Sequence, residues 1–347
     1  MRISKYLAAL LLAILISGLF LASVDLTGIW EKVAKASIFW ISVSAALQIL
    51  SPLARAWRWK IMLRPVKMEV PLGSTFWANN VGFMVNFLIP IRVGSELVRA
   101  YLLGKKETVG FIKALSSVAV ERVLDLVAIS SLALFSAITL SFMGLPQLYQ
   151  LSIATVSLYS IGVLVIVIVG TRNETWVLKK VEVVTSRIPF FSRRKKAVRE
   201  GFASAITGAR GLNHDAPTAL GTLLLTWIIW LIEFTSVYAL FLAFEVNIPI
   251  AVILLGTMLI QLLFILPSPP GYIGSLQGFW YLAFAGLAVV NVETILAMAI
   301  LRHVISAIIL LGLGYGGLIS MRMAFGDITQ MLTNIRNQSK SREQDGN

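Results

Sequence analysis

The chain has 347 residues, 57% of them hydrophobic and only 14% charged, with 30 Lys and Arg against 17 Asp and Glu. A soluble globular chain is nearer half apolar and a quarter charged. The absence of Cys excludes disulfides, thiolate metal sites, a Cys nucleophile and dithiol redox chemistry. A formal charge of +13 would suggest nucleic acid in a soluble protein. Here the basic residues sit in short links between apolar runs, the pattern of cytoplasmic loops beside anionic headgroups, so membrane lipids are the expected partners and nucleic acid is not.

The apolar runs do not alternate and are mostly near twenty residues long, the length a helix needs to cross about 30 Å of hydrocarbon. Barrel strands would be about ten residues with alternating character. Backbone groups in lipid must be paired within the segment, so these runs predict an all-α polytopic membrane protein. About seven to nine hydrophobic helical segments are expected, two of them broken or re-entrant.

Residues 3–21 form the first run. It follows Arg2 and is read as a retained helix rather than a cleaved signal, because its apolar core is long and many spans follow. A second run, 38–53, leads into a basic stretch with Arg55, Arg58 and Trp59, which predicts an interfacial collar contacting headgroups. Residues 76–89 are short for a full span, contain Asn79, Asn80, Gly82 and Asn86, and stop at Pro90, so they predict a half helix. Arg92, Gly94, Glu96 and Arg99 follow. A long helix over 111–142 carries Glu121, Arg122 and Asp125 in apolar sequence, and a further run covers 151–169. The polar stretch 171–217, dense in Lys and Arg, predicts a cytoplasmic loop. Spans are expected at 220–244 and 248–266, the second ending at Pro267. Pro270, Gly271, Gly274 and Gln277 come next, then an imperfect apolar stretch, 279–290. The final span, 295–319, contains Arg302 and His303. Residues 1–323 are read as one membrane domain and 324–347 as a polar, disordered cytoplasmic tail.

Each half therefore has an apolar segment ending at a proline, then glycines, a polar position (Glu96 or Gln277) and a helix with internal charge. Paired broken segments point to a transport site near mid-membrane. Whether such a repeat is inverted or parallel stays open at this level. Pro90, Gly94, Pro267, Pro270, Gly271 and Gly274 are assigned structural roles in the breaks and close approaches.

Charge at bilayer depth is costly and persists when paired or facing an internal cavity. Glu121 and Asp125 are four apart and share a helix face, so a cation is needed between or opposite them. Arg122 is placed to pair with Glu96. Arg92 and Arg99 flank Glu96, and guanidinium forks suit phosphate oxygens. The candidate substrate-binding set is Asn86, Arg92, Glu96, Arg99, Glu121, Arg122, Asp125, Gln277 and Arg302. No phosphate-loop, H-E-x-x-H or calcium-loop motif is present, and no metal or cofactor is expected.

Arg55, Arg58-Trp59, Gly82, Asn86, Leu88, Pro90, Arg92, Gly94, Glu96 and Arg99, continued by Glu121-Arg122 and Asp125, resemble the lysylphosphatidylglycerol synthase transmembrane-region family, also called UPF0104 or flippase-like. Pro267, Pro270, Gly271, Gly274 and Arg302 resemble its later motifs. The resemblance implies movement of a lipid across the bilayer. The family pattern implies a glutamate where this chain has Gln277, so a proton- or cation-dependent role does not carry over to that position. A separate aminoacyl transferase domain does not fit the polar stretches. The expected function is flippase-like transport of an anionic or polyprenyl-phosphate-linked lipid in the cell membrane. The alternatives are a membrane-embedded transferase acting on a lipid-linked substrate, with Glu121 or Glu96 as base, and a non-transporting scaffold for a lipid-modifying or glycan-assembly enzyme. The amino terminus, the 171–217 loop and the tail are expected on the cytoplasmic side.

Overall fold

The computed structural model describes residues 26–64, 69–89, 94–143, 157–162, 216–264, 268–285 and 290–328, with a few single positions besides. The described residues form α1 (Leu26–Lys35), α2 (Ile38–Leu63), α3 (Leu72–Leu88), α4 (Gly94–Lys106), α5 (Phe111–Ser141), α6 (Ala216–Ala243), α7 (Ile250–Leu263), α8 (Ser275–Phe284) and α9 (Val292–Met321). The expected run at 3–21, most of 151–169, nearly all of the basic loop and the end of the tail lie outside the described residues, as do Pro90, Arg92 and Pro267.

Four helices, α2, α5, α6 and α9, are long and apolar enough to cross a membrane. At 1.5 Å per residue the 26 residues of α2 reach about 39 Å, more than the hydrocarbon thickness. Their outward faces carry large apolar side chains, among them Phe135, Leu220, Ile308 and Tyr315, while Arg58, Asn79, Arg99, Glu121 and Asp125 are buried. Water would not tolerate so large an apolar exterior, whereas lipid requires it and drives ionisable groups inward. The chain is an all-α polytopic membrane protein.

Several sequence boundaries move. The second run continues through the basic stretch to Leu63, because Arg55 and Arg58 stay helical and turn inward rather than ending the span. The half helix starts earlier, at Leu72, after Pro71 at its N-cap. The expected span 248–266 is a helix of 14 residues, opened by Pro249 at its N-cap and closed at Phe264. At about 21 Å it is short for a full crossing. The stretch expected at 279–290 is helical from Ser275 to Phe284. Packing also continues beyond residue 323, since Ile328 is wholly buried in the core with Val81 and Leu103.

Helix lengths recur in order. The first half runs 26, 17, 13 and 31 residues (α2 to α5), the second 28, 14, 10 and 30 (α6 to α9). Packing is reciprocal too. α2 lies on α6, α3 packs against α9, and α7 packs against α5. Within each half the two short helices touch each other, and the second touches the long helix that follows it. Ser44 meets Ser236 while Arg58 meets Thr226, so the equivalent helices α2 and α6 run antiparallel. The two halves are thus related as an inverted repeat, which the sequence left open.

The α3–α9 contact depends on small residues. A Cβ on Gly317 would lie 2.7 Å from Val81 Cγ2 and 3.0 Å from the Trp77 carbonyl oxygen, and one on Gly314 would collide with Met84. Only glycine lets these helices approach so closely. The break between α7 and α8 uses backbone freedom instead, with Gly271 and Gly274 at φ 69° and 76°.

A buried ionic core and a mid-membrane cavity

The polar side chains of α2 and α6 form matching stripes. Ser44, Ser51, Arg55 and Arg58 lie on one face of α2, and Thr222, Thr226, Glu233 and Ser236 on one face of α6, at helical spacing. Antiparallel packing brings the stripes together. Ser51 donates to Glu233 Oε1 at 2.8 Å, and Arg55 Nη2 lies 3.6 Å from that oxygen. Arg302 of α9 donates to the other carboxylate oxygen of Glu233 at 3.0 Å and to Ser236 Oγ at 2.9 Å.

Arg58 supplies the cation that the Glu121–Asp125 face requires. Its guanidinium donates to Glu121 Oε1 and to Asp125 Oδ1, each at 2.6 Å, and to Thr226 Oγ1 at 3.1 Å. Arg58 and Trp59 are wholly buried, so the expected headgroup collar is instead part of the interior. Trp59 donates to Ser117 Oγ at 2.9 Å. Arg55 is also largely enclosed, whereas Trp57 and Arg64 face outward. The reason is that α2 does not stop at the bilayer surface: its basic residues fall on the face turned toward the carboxylates of α5 and α6.

Arg99 is wholly buried as well. It donates to Asn79 Oδ1 at 2.9 Å, and its Nη2 lies 2.8 Å from Glu121 Oε2 as an ion pair without hydrogen-bond alignment. Arg99 and Glu121, both in the candidate substrate-binding set, are packed into the core. Arg122 differs. Its side chain is 45% exposed and pairs with Glu96 at 2.8 Å, as the sequence suggested, while also approaching Asp125 at 3.8 Å. Trp230 completes the surroundings of Asp125, donating to Oδ1 at 3.2 Å.

The ionic groups form one connected path. It runs from Glu96 and Arg122 through Asp125 and Arg55 to Glu233 and Arg302, with Arg58, Glu121 and Arg99 branching from it. Five guanidinium groups meet four carboxylates among the described residues. The path carries one excess positive charge, which favours an anionic guest. No group of three or more His, Asp or Glu able to hold a metal ion occurs among the described residues.

Beyond Arg302 lies a cavity of about 160 Å³ walled by α7, α8 and α9. The Pro270–Tyr272 turn forms one side of it. Asn86, near the end of α3, donates to Tyr272 Oη at 2.6 Å and thereby joins the two broken segments. Gln277 accepts the Gly274 N–H at 3.0 Å, which turns its amide nitrogen toward His303 Nδ1, also at 3.0 Å. The other ring nitrogen of His303 lies 2.7 Å from the Gly271 carbonyl oxygen and must be the one carrying hydrogen. Nδ1 is then the acceptor, and the ring is neutral. The repeat relates this pair to the first half. Glu96 and Gln277 are the third residues of α4 and α8, and their partners Arg122 and His303 are the twelfth residues of α5 and α9. One half holds an ion pair where the other holds a neutral hydrogen bond.

Arg92 lies outside the described residues. Glu233, Ser51, Ser236 and Trp230 belong to the ionic core without having been chosen as site residues from sequence. The signal that could have found them is polar residues recurring at three- and four-residue spacing inside apolar helices.

Fold and site together define an integral membrane protein built from two inverted halves around an ionic core. The chain belongs to the family described as the lysylphosphatidylglycerol synthase TM region, whose model matches residues 6–314. It is similar to two UPF0104 membrane proteins of Methanothermobacter thermautotrophicus. One is 25% identical over 274 residues, covering 74% of this chain and 79% of the relative. The other is 27% identical over 260 residues, covering 72% and 74%. It is also similar to Glycosyltransferase AglD of Haloferax volcanii, 24% identical over 356 residues, covering 95% of this chain but 56% of that protein. No solved structure matches the chain.

Proposed function

We propose that the protein is a lipid translocase, passing an anionic or polyprenyl-phosphate headgroup along the ionic path while the chains stay in hydrocarbon. The observation that carries this reading is the partly exposed Arg122–Glu96 pair at one end of a buried path with a surplus guanidinium. A phosphate can replace Glu96 on Arg122 with like geometry, because guanidinium binds both anions through the same fork. The inverted halves supply a framework for alternating access, with broken helices meeting at the centre. The cytoplasmic side is assigned to the amino terminus, the 171–217 loop and the tail, from their Lys and Arg content.

The test uses Arg122→Gln. The variant leaves Arg58 on both Glu121 and Asp125, so the innermost ion pairs persist and it should fold. In liposomes with a fluorescent-headgroup phosphatidylglycerol and, separately, a fluorescent polyprenyl phosphate, it should translocate at least tenfold more slowly than the wild type, with partial recovery in Arg122→Lys. Wild-type rates for Arg122→Gln with both lipids reject the reading.

Similarity to a glycosyltransferase over 95% of the chain favours one other reading, a membrane-embedded transferase on a lipid-linked substrate. Glu121 is poorly suited as its base, since each of its oxygens faces a buried guanidinium. Glu96 is then the candidate. Mass spectrometry of the recovered lipid separates the readings: transport leaves the headgroup mass unchanged, and transfer alters it.

A further inference from the structure

We propose that the cavity walled by α7, α8 and α9 is a second lipid subsite, in which the Gln261 amide binds an oxygen of the lipid and the apolar lining takes the adjoining chain. This deepens the translocase reading and rests on it.

The argument starts from Gln261 itself. It lies in α7, a helix otherwise apolar but for Thr257, and its side chain lines the cavity. Thr257 satisfies itself by donating to the Ile253 carbonyl at 2.7 Å. Gln261 has no hydrogen-bond partner among the described residues. An amide that faces such a space without a protein partner is free to bond a guest that enters it. The other polar groups here are committed: His303 to Gln277 and Gly271, Arg302 to Glu233 and Ser236, Ser306 to Gln48. The repeat sharpens the contrast. Asn86 lies two residues before the end of α3, as Gln261 does before the end of α7, yet the Asn86 amide is bonded to Tyr272. The structure leaves the second-half amide for a guest.

Depth and shape name the guest. Arg302 and Leu310 lie about 15 and 27 Å along α9 from its start, so the cavity sits within the hydrocarbon. Its volume of about 160 Å³ exceeds a single water's share of roughly 30 Å³, so it has room for more than one bridging water. Ile260, Leu276, Trp280 and Leu310 give it apolar walls. A segment of lipid chain carrying an oxygen acceptor at its head fits both the walls and the amide. A glycerolipid ester and a polyprenyl phosphate share that chemistry.

The experiment places the full chain in nanodiscs with one of two probes, phosphatidylglycerol or polyprenyl phosphate, each with a diazirine in its chain near the head. After illumination the adducts are mapped by mass spectrometry. At least one probe should label peptides of α7, α8 or α9, and the arm that labels names the lipid source. Gln261→Leu, close in size and harmless to a membrane helix, should lower labelling about tenfold, the effect of one hydrogen bond. Leu310→Trp, which fills the cavity from α9, should abolish it. Absence of labelling by both probes, or wild-type labelling in Gln261→Leu or Leu310→Trp, overturns the proposal. The two readings fail separately. Wild-type transport by Arg122→Gln with Gln261-dependent labelling removes the headgroup path and leaves the subsite. Slow transport by Arg122→Gln with no labelling removes the subsite alone.

Discussion

Replacing Arg58 by Met should cost about 3–5 kcal/mol of stability, the usual consequence of stranding buried charge. The structure says where that cost arises. Arg58 has no exposed surface and holds two carboxylates at 2.6 Å. Without it, Glu121 keeps Arg99 at 2.8 Å, but Asp125 keeps only the Trp230 N–H at 3.2 Å and two guanidinium groups at 3.8 and 3.9 Å. The stranded charge is therefore mainly that of Asp125. Asp125→Asn alone should cost less than Arg58→Met, because Arg58 retains Glu121. The double variant removes one charge of each sign and leaves Glu121 paired with Arg99. It should cost less than the sum of the single changes by about 1–3 kcal/mol, the coupling expected of residues in contact. Reversible unfolding in mixed micelles, titrated with denaturing detergent, measures all three. Additivity within about 0.5 kcal/mol would show that the two side chains do not act as a buried pair and would refute the ionic core as drawn.

Three further outcomes follow from other parts of the molecule. Burial opposes ionisation of Glu107, but the Ser74 hydroxyl and the Lys67 ammonium outweigh it and hold the carboxyl below the ordinary range. Its stabilisation is complete above the unfolded value near 4.3 and is lost as pH falls through the folded value, so Glu107→Gln should flatten the stability profile between about pH 5 and 3; an unchanged slope there contradicts the clamp. Gly317→Ala should destabilise by about 1–3 kcal/mol, since its Cβ meets the Trp77 carbonyl oxygen at 3.0 Å and backbone cannot yield cheaply; wild-type thermal stability would mean that α3 and α9 are not so close. Single cysteines at Ser192 and Ser339 of this cysteine-free chain should react with an impermeant reagent only from the inner side, and labelling of either from outside intact cells reverses the topology.

Much of the ionic core was legible because charge inside an apolar run is rare and demands a partner. Glu121, Asp125 and their need for a cation followed from four-residue spacing, and Arg122 with Glu96 followed from proximity across a short break. Arg58 was misplaced because the same Trp and Arg residues that mark a bilayer surface can also continue a helix inward. Nothing local distinguishes these cases; the decision comes from α5 and α6, which present carboxylates to that face of α2. Gln261 was missed for a related reason. One amide in an apolar helix is unremarkable until its neighbours are seen to be satisfied without it.

The sequence by itself determined that the chain is helical, membrane-embedded and broken by proline and glycine in both halves, because lipid imposes run length and backbone pairing residue by residue. Tertiary structure decided that the halves are inverted, that Arg58 and Arg99 are buried while Arg122 is half-exposed, and that a cavity opens beside Arg302. Those facts depend on which faces of distant helices meet. Hydrophobic periodicity specifies that a face turns inward, but the partner across it is chosen by the packing of the whole bundle.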